Sequence, residues 1–352
     1  MEELRSILLA HARRYPAMAP QDGVKLVYQN EFGGGHLVTD PAQSLERLQA
    51  EWEAVPRNPA APLAEDIGNG LVRIMLAGLD PADYPLEQLN RDFIRSARLH
   101  RGEPDRFLRK LEVLRRLAGE GAFPFPLEAL EDSLAACREA GYPPASHSPA
   151  YRAAYAPAYR VAARWACLPL LAEEARALSQ ARGRTILALD GRCASGKTTL
   201  AARLARRYGW SVVHLDHFFL RPEQRSPERY ARPGENVDHE RFLEEVLRPL
   251  RRGEQPAYRP FDCRTQTLGE PISVGPGPVV LVEGSYACHP ALWDQYDLRA
   301  FLTVDPAEQL ARILRREGEA YAQVFREKWI PLEERYFSAF QVEERCGYRL
   351  EL

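Results

Sequence analysis

Two patterns of apolar and polar residues divide the chain near residue 180. Before this point apolar residues recur every three or four positions, the spacing of a helix with one buried face. In the clearest case Gly119 ends a stripe formed by Phe107, Leu108, Leu111, Leu114 and Leu117. Further helices are predicted over 2–14, 20–31, 41–54, 86–98 and 126–141. The run 71–76 fits either a strand or a buried helix, and we predict a mostly helical first half.

After residue 180 short apolar strands alternate with helices. Strands rich in β-branched residues are predicted at 185–189, 211–215, 279–282 and 300–304. Helices are predicted at 197–208, 238–250 and 306–317. This alternation is typical of a doubly wound α/β domain with a parallel sheet. We therefore predict a mostly α-helical accessory domain over 1–170 and an α/β domain over 180–352, joined by a helix over 158–182.

Composition and charge indicate the number of domains, the kind of partner and the location to expect. The 352 residues exceed what one hydrophobic core usually organises, which favours two domains. A net charge of −2 and a pI near 6.5 give no electrostatic reason to expect nucleic acid or an anionic membrane as partner. The apolar run Ile7–Ala10 is too short for a signal peptide and the cysteines form no CxxC pair, so we expect a cytoplasmic location. Homo-oligomers are compatible with the sequence but not indicated by it.

The strongest motif is GRCASGKT, a complete GxxxxGK[ST] phosphate-binding loop at 191–198. It lies between the apolar strand TILALD and the helical segment TTLAARLARRY, as such a loop requires. Lys197 is expected to bridge the β- and γ-phosphates and the Thr198 hydroxyl to ligate Mg²⁺, with Cys193 as a small filler of the loop. The sequence therefore predicts binding of Mg²⁺ and ATP. The predicted nucleotide contacts are Gly191, Ala194, Ser195, Gly196, Lys197, Thr198 and Thr199.

Two carboxylates follow predicted strands. Asp216 ends the strand SVVHL, where residues of an α/β sheet face the ligand crevice, and it could accept a hydroxyl proton. Glu283 ends PVVLVEG, and a carboxylate leaving so apolar a strand requires water, a cation or a donor, which makes it a candidate Mg²⁺ ligand. The structural alternatives are an ordinary turn aspartate and a carboxylate satisfied by backbone donors.

Together these segments resemble the uridine kinase / phosphoribulokinase family of P-loop kinases over residues 184–340. The resemblance is carried by the phosphate loop, LDHFF, RPGENVDHERF and LVEG. It implies a P-loop NTPase fold and ATP-dependent phosphoryl transfer to an alcohol group of a small molecule, either a nucleoside such as uridine or cytidine or a sugar-like metabolite. It also implies that Asp216 is the catalytic base and Glu283 a Mg²⁺ ligand. His217 replaces a second acidic residue common among bacterial relatives, and no base-recognition set for uracil or cytosine is found, so the acceptor stays open.

The resemblance also implies an acceptor site. Asp238 matches an acidic residue that holds acceptor hydroxyls in nucleoside kinases of this family, although it also stands where a helix N-cap belongs. Tyr258 and Phe261 fall where the family places aromatic residues near the acceptor, and Phe219 follows the strand-end aspartate. Core or loop packing is the alternative for these aromatic residues.

A lid that supplies arginines to the phosphates is implied as well. Arg312, Arg315 and Arg316 in LARILRREGEAY are the candidates, of which Arg312 and Arg316 are predicted to be catalytic, and Arg326 and Lys328 follow. Such cations stabilise the charge of a transferring phosphoryl group. A solvated helix face is the alternative reading.

The first half contains no nucleotide motif. The run NEFGGGH suggests either a ligand loop ending in His36 or a turn between helices. Tyr151, Tyr155 and Tyr159 recur at four-residue spacing on a predicted helix that Pro157 would kink, facing the kinase crevice or packing between domains. This half resembles an N-terminal extension of some bacterial uridine-kinase-like proteins. We hypothesise that it helps to select the acceptor or covers the site.

Two further functions are compatible with the sequence. A regulatory protein would use the same phosphate loop to drive a conformational change without phosphorylating a metabolite, and a bifunctional protein would carry a second reaction in its first half. No NKxD-type guanine signature follows the loop, which weakens a GTPase assignment.

Overall fold

The computed structural model divides the chain into two compact units. They are Met1–Cys167 and Leu168–Leu352. The described residues are 1–35, 40–58, 61–81 and 84–352. Within these ranges no helix combines the length and the hydropathy needed to cross a membrane.

The first unit contains the predicted helices and, in addition, a small sheet. The helices are α1 (Glu2–Arg14), α2 (Pro20–Phe32), α3 (Pro41–Ala54), α4 (Leu86–Leu99), α5 (Pro104–Gly119), α6 (Leu127–Glu139) and α7 (Pro149–Tyr155). The strands β1 (Ala64–Gly68), β2 (Leu71–Met75) and β3 (Tyr159–Ala163) pair antiparallel in that order. The ambiguous run 71–76 is therefore a strand, and the helices predicted before residue 142 are confirmed.

The predicted joining helix over 158–182 is wrong in its first ten residues. Residues 159–163 pair with β2 from Tyr159 opposite Met75 to Ala163 opposite Leu71, and a helix, α8, begins only at Leu168. The Ala-rich segment favours a helix by composition, but the pairing satisfies the backbone groups along one side of β2. Tertiary pairing thus overrides local propensity here.

The tyrosine stripe is divided between two elements as a result. Tyr151 and Tyr155 lie on α7, which ends before Pro157, whereas Tyr159 lies on β3. The rings of Tyr151 and Tyr155 pack against Tyr15 within the core of the first unit, at centroid distances of 5.2 and 5.0 Å. These contacts explain their burial without a ligand.

The glycine run after α2 includes one close approach. A Cβ at Gly34 would lie 2.7 Å from a ring carbon of Phe93, so a side chain there would displace a core phenylalanine. Gly33 adopts a φ of +65°, which favours glycine. His36, the predicted end of a ligand loop, lies outside the described residues.

A charged network is buried in the first unit. Arg73 of β2 is 2% exposed and donates to Gln29 Oε1 at 2.7 Å and to Glu65 Oε2 at 3.2 Å. Glu65 also accepts from the Tyr15 hydroxyl at 2.7 Å and lies 3.1 Å from His11 Nε2. Burial alone would raise the pKa of Glu65, but the close approach of His11 and the charge of Arg73 lower this pKa to about 2. Each buried charge in the network therefore has a partner.

The second unit is an α/β domain, as predicted. Its strands are β4 (Thr185–Gly191), β5 (Ser211–His214), β6 (Ala257–Tyr258), β7 (Phe261–Asp262), β8 (Thr267–Leu268), β9 (Ile272–Ser273), β10 (Val279–Glu283), β11 (Leu298–Thr303) and β12 (Tyr348–Glu351). Its helices are α8 (Leu168–Arg182), α9 (Lys197–Tyr208), α10 (Pro227–Ala231), α11 (His239–Phe242), α12 (Arg248–Arg251), α13 (Pro306–Glu317), α14 (Glu319–Val324), α15 (Ile330–Phe340) and α16 (Val342–Arg345). Two π-helical segments, Leu243–Leu247 and Phe325–Trp329, connect α11 to α12 and α14 to α15.

Five of these strands form one parallel sheet in the order β12-β11-β4-β10-β5. The four predicted strands are confirmed, and β12 was not predicted. The core strands β4 and β10 are buried along their whole length, as a sheet covered on both faces requires. Because the strands are parallel, the carboxyl ends of β4, β10 and β5 meet at one edge of the sheet.

Candidate functional site

The phosphate loop connects the central strand of the sheet to a helix. β4 ends at Gly191 and α9 begins at Lys197. A Cβ at Gly191, whose φ is +134°, would lie 2.0 Å from Leu302 O, so only glycine lets the loop leave the sheet beside β11. Gly196 caps the helix with a left-handed φ of +96°. The first N–H groups of α9 open towards the loop and, with the helix dipole, favour an anion there.

Two side chains of the loop complete its set of donors. The Lys197 ammonium donates to Gly191 O at 2.7 Å and to Arg192 O at 2.9 Å, so it is held across the loop. The Ser195 hydroxyl is buried and has no hydrogen-bond partner in the described part of the chain. A buried hydroxyl without a partner is costly. Together with the helix N-terminus, these donors fit the oxygens of a phosphate group.

A hydroxyl and a carboxylate meet beside the loop. Thr198 Oγ1 donates to Glu283 Oε2 at 3.1 Å, while His214 Nδ1 forms a short hydrogen bond with Glu283 Oε1. Glu283 is buried, whereas Thr198 and Thr199 are exposed at the start of α9. The hydrogen bond with Glu283 raises the pKa of His214. Thr198 and Glu283 offer the oxygen ligands that Mg²⁺ prefers. The sequence analysis did not identify His214, although it stands two residues before Asp216.

Asp216 lies across from this pair. It belongs to a 3₁₀ turn, Leu215–Phe218, that follows β5 directly. Its side chain is exposed, yet desolvation by the many protein atoms around it is the main cause that raises its pKa to about 6, with the Glu283 charge adding to the rise and Lys197 opposing it. A Cβ at Gly284 would lie 3.2 Å from Asp216 Oδ1, so the glycine after β10 leaves room for the carboxylate. The carboxylate can therefore accept a proton near neutral pH.

Two buried carboxylates accept hydrogen bonds from backbone N–H groups of the phosphate loop, and the sequence analysis missed both. Glu333 Oε2 accepts from Cys193 N at 2.9 Å, and its Oε1 accepts from the Ser285 hydroxyl at 2.6 Å. Asp190 accepts from the Tyr336 hydroxyl at 2.8 Å, and burial raises its pKa to about 6. Asp190 could have been identified as the last polar residue before the loop. Glu333 has no sequence signal, because α15 brings it to the loop from far along the chain.

Asp238 is the N-cap of α11. Its Oδ1 accepts from Arg241 N at 3.1 Å and its Oδ2 from Gln224 Nε2 at 2.8 Å. Asp238 therefore caps the helix, the alternative considered from the sequence. Its Oδ2 contacts a side chain and not the helix backbone. Tyr258 is buried, and its hydroxyl lies 3.0 Å from His217 Nδ1. Tyr258 therefore contacts the turn that carries Asp216, and Asp238 lies in the same stretch of chain after β5.

The remaining predicted aromatic residues pack within the same region. Phe261 is buried, and the guanidinium of Arg225 lies 5.9 Å from its ring centroid. Phe219 is half-buried and forms an isolated bridge to Val237. Both contacts are compatible with packing, the alternative considered from the sequence.

The structure distinguishes the three predicted lid arginines. Arg312 reaches the phosphate loop, since its Nη1 donates to Ala194 O at 3.3 Å and its Nη2 to Leu352 O at 2.8 Å. Arg315 and Arg316 form ion pairs within their own helical segment and are exposed. The structure thus brings only Arg312 of these three to the loop, and the solvated-face alternative describes Arg315 and Arg316.

No family model matches the chain. Among solved structures, a possible uridine kinase from Bacillus stearothermophilus is 19% identical, with 51% of this chain and 99% of that chain covered and a TM-score of 0.38. A putative fructose transport system kinase from Silicibacter sp. TM1040 is 22% identical, with 51% and 98% covered and a TM-score of 0.40. The function proposed below therefore depends on the geometry of the site.

Proposed function

We propose that the second unit is an ATP- and Mg²⁺-dependent phosphotransferase that moves the γ-phosphate to an alcohol group of a small molecule, either a nucleoside or a sugar-like metabolite. One observation carries the proposal. The phosphate loop and Thr198 follow β4, Glu283 ends β10 and Asp216 follows β5, so these groups meet at the carboxyl ends of three adjacent parallel strands. A phosphate-binding group, a cation-ligand pair and a proton acceptor are the parts that phosphoryl transfer to a hydroxyl requires.

On the donor side, Lys197, Ser195 and the N-terminus of α9 bind the phosphates. Thr198 and Glu283 would hold Mg²⁺, which when bound neutralises charge on the phosphate oxygens. His214 keeps Glu283 in place through its hydrogen bond to the other carboxylate oxygen. Arg312, which is fixed to the loop by its bond to Ala194 O, adds positive charge at the same end.

On the acceptor side, Asp216 accepts the hydroxyl proton as the alcohol oxygen attacks phosphorus. Its pKa of about 6 keeps it ionised at neutral pH and still basic enough to accept a proton. Asp238, Tyr258, Phe219 and Phe261 are proposed to surround the alcohol, because they belong to the segments after β5.

The competing function is a nucleotide-dependent regulatory protein. Such a protein needs the phosphate loop and the cation ligands but has no use for a general base with a raised pKa beside them. Asp216 therefore favours the transferase. We further propose that the first unit helps to select the acceptor or covers the site.

The test is a mass-spectrometric search for phosphorylated products. The full chain would be incubated with Mg-ATP and a panel of nucleosides, sugars, polyols and hydroxy acids. Lys197→Ala and Asp216→Asn are the test variants. Arg316→Ala, which removes an exposed cation paired with Glu317, is the control.

A product made by the wild type and by Arg316→Ala, but by neither test variant, supports the transferase and identifies the acceptor class. Tight ATP binding by the wild type with no product from any compound would favour the regulatory protein.

A further inference from the structure

We propose that Glu333 sets the preference of the nucleotide site between a triphosphate and a diphosphate, an inference that rests on the proposed function. Helix α15 brings this carboxylate to the phosphate loop, where it is 5% exposed. Its Oε2 accepts from Cys193 N at 2.9 Å and its Oε1 from the Ser285 hydroxyl at 2.6 Å. The side chain is therefore fixed between the loop after β4 and the residues that follow β10.

This contact lies at the end of the loop where a γ-phosphate is expected. The lysine of such a loop reaches the β- and γ-phosphates. In this chain the Lys197 ammonium donates to Gly191 O at 2.7 Å and to Arg192 O at 2.9 Å. Cys193 is the next residue of the same arm of the loop. The carboxylate that accepts from its N–H therefore lies beside the part of the loop that the γ-phosphate would meet.

The negative charge of Glu333 is not cancelled by its hydrogen bonds, because both donors are neutral groups. Two arginines contact the loop, but each pairs with another carboxylate. Arg192 lies 2.8 Å from Glu334 Oε1. Arg312 lies 2.9 Å from Glu308 Oε1. A buried anion that is held only by neutral donors is costly, so the charge itself, and not only its hydrogen bonds, requires a functional explanation.

Neighbouring groups on both sides of the cleft respond to this charge. Burial raises the pKa of Asp216 to about 6, and the charges of Glu283 and Glu333 add to the rise. Burial also raises the pKa of the Cys193 thiol, and the charge of Glu333 is the next cause in the same direction. A like charge disfavours any further anion nearby. A γ-phosphate would meet this repulsion, whereas a diphosphate ends short of it.

Repulsion at this place makes the site respond to the ratio of ATP to ADP. Specificity is a difference between two affinities, and a like charge placed against one ligand changes that difference. Glu333 weakens the binding of ATP more than the binding of ADP. ADP therefore competes with ATP at comparable concentrations, and occupancy of the site by ATP falls when ADP accumulates.

Calorimetric titration of the full chain tests this role without an acceptor. The two ligands are ADP and the β,γ-imido analogue of ATP, which resists hydrolysis, each with Mg²⁺. Glu333→Gln removes the charge, keeps the shape and can still accept from Cys193 N. Glu333→Asp keeps the charge on a shorter side chain. Glu334→Gln is the matched control, because this neighbour on α15 is partly exposed and paired with Arg192.

We expect Glu333→Gln to bind the triphosphate analogue at least about tenfold more tightly relative to ADP, the effect of removing one nearby like charge. ADP affinity, which should change little, shows that the loop is still folded. Glu333→Asp and Glu334→Gln should keep the wild-type ratio of affinities. An unchanged ratio in Glu333→Gln, or an equal change in either other variant, would overturn this role and leave the proposed phosphotransferase in place. A wild type that binds neither nucleotide would overturn the proposed function, and this inference with it.

Discussion

Asp216 is exposed, yet desolvation by the protein around it raises its pKa to about 6. This combination suits a group that must meet a substrate hydroxyl and then hold its proton. A turn aspartate in open solvent would titrate near its ordinary value and would be a poorer base at neutral pH.

A pH profile of turnover checks this role. If Asp216 is the proposed base it acts when ionised, so kcat/KM for an identified acceptor should fall about tenfold for each pH unit below about 6. Asp216→Asn should lower kcat by about 10²–10⁴-fold and leave ATP binding unchanged. Asp294→Asn, at an exposed position away from the loop, should retain the wild-type profile. An unchanged acid limb in a still active Asp216→Asn would contradict the assignment.

Glu65 makes a separate prediction about stability. Its pKa is depressed to about 2 in the folded chain. Its contribution to the free energy of unfolding is therefore fully present above about pH 4.5 and is lost as the pH falls towards 2. The contribution is on the order of 3 kcal/mol at neutral pH. Amide exchange of β1 and α1, measured at pH 7 and pH 3, should show the loss in the wild type. Glu65→Gln should be less stable at pH 7 and should lose less on acidification. Equal loss of stability on acidification in the two proteins would contradict this role of Glu65.

At the scale of elements, the close approach of β4 and β11 depends on Gly191. Gly191→Ala places a Cβ 2.0 Å from Leu302 O, so the sheet must separate beside the phosphate loop. Gly209→Ala is the matched control, because Gly209 also has a positive φ, +68°, but no atom within 4 Å of its Cβ position. Thermal unfolding should show about 1–2 kcal/mol lost for Gly209→Ala, the cost of a left-handed alanine. The loss should be clearly larger for Gly191→Ala, together with weaker ATP binding. Equal losses would refute the argument.

The elements that the sequence predicted are those with strong local signals. The helix at 197–208 and the strand at 185–189 follow from apolar spacing and from the phosphate-loop motif, because both depend on neighbouring residues. The strand at 159–163 and the strand at 348–351 depend on partners far along the chain, so local composition could not reveal them. The contact of Glu333 with Cys193 N is of the same kind. The sequence could thus predict the candidate residues at the strand ends. It could not predict residues such as Glu333, which reach the phosphate loop from far along the chain.

At the scale of the whole molecule, each unit has its own hydrophobic core. A ligand that binds only the folded form of one unit stabilises that unit by mass action. Mg-ATP at about 100 times its Kd should therefore add about 2.7 kcal/mol to the unfolding free energy of residues 168–352. Hydrogen exchange of the full chain under denaturant should show this protection in β4 and α9 and not in α2 or α5. Equal protection of both units would contradict independent stabilisation.

The strand order also gives the proposed reaction a direction across the sheet. The phosphate loop follows the central strand, Glu283 the next strand and Asp216 the edge strand, and neighbouring strands are about 4.8 Å apart. The phosphoryl group would travel from the middle of the sheet towards its margin. Loops at the margin can change by mutation without disturbing the central strand. Under the proposed function, changes in the segments after β5 could therefore alter the acceptor while the phosphate-binding loop stays the same.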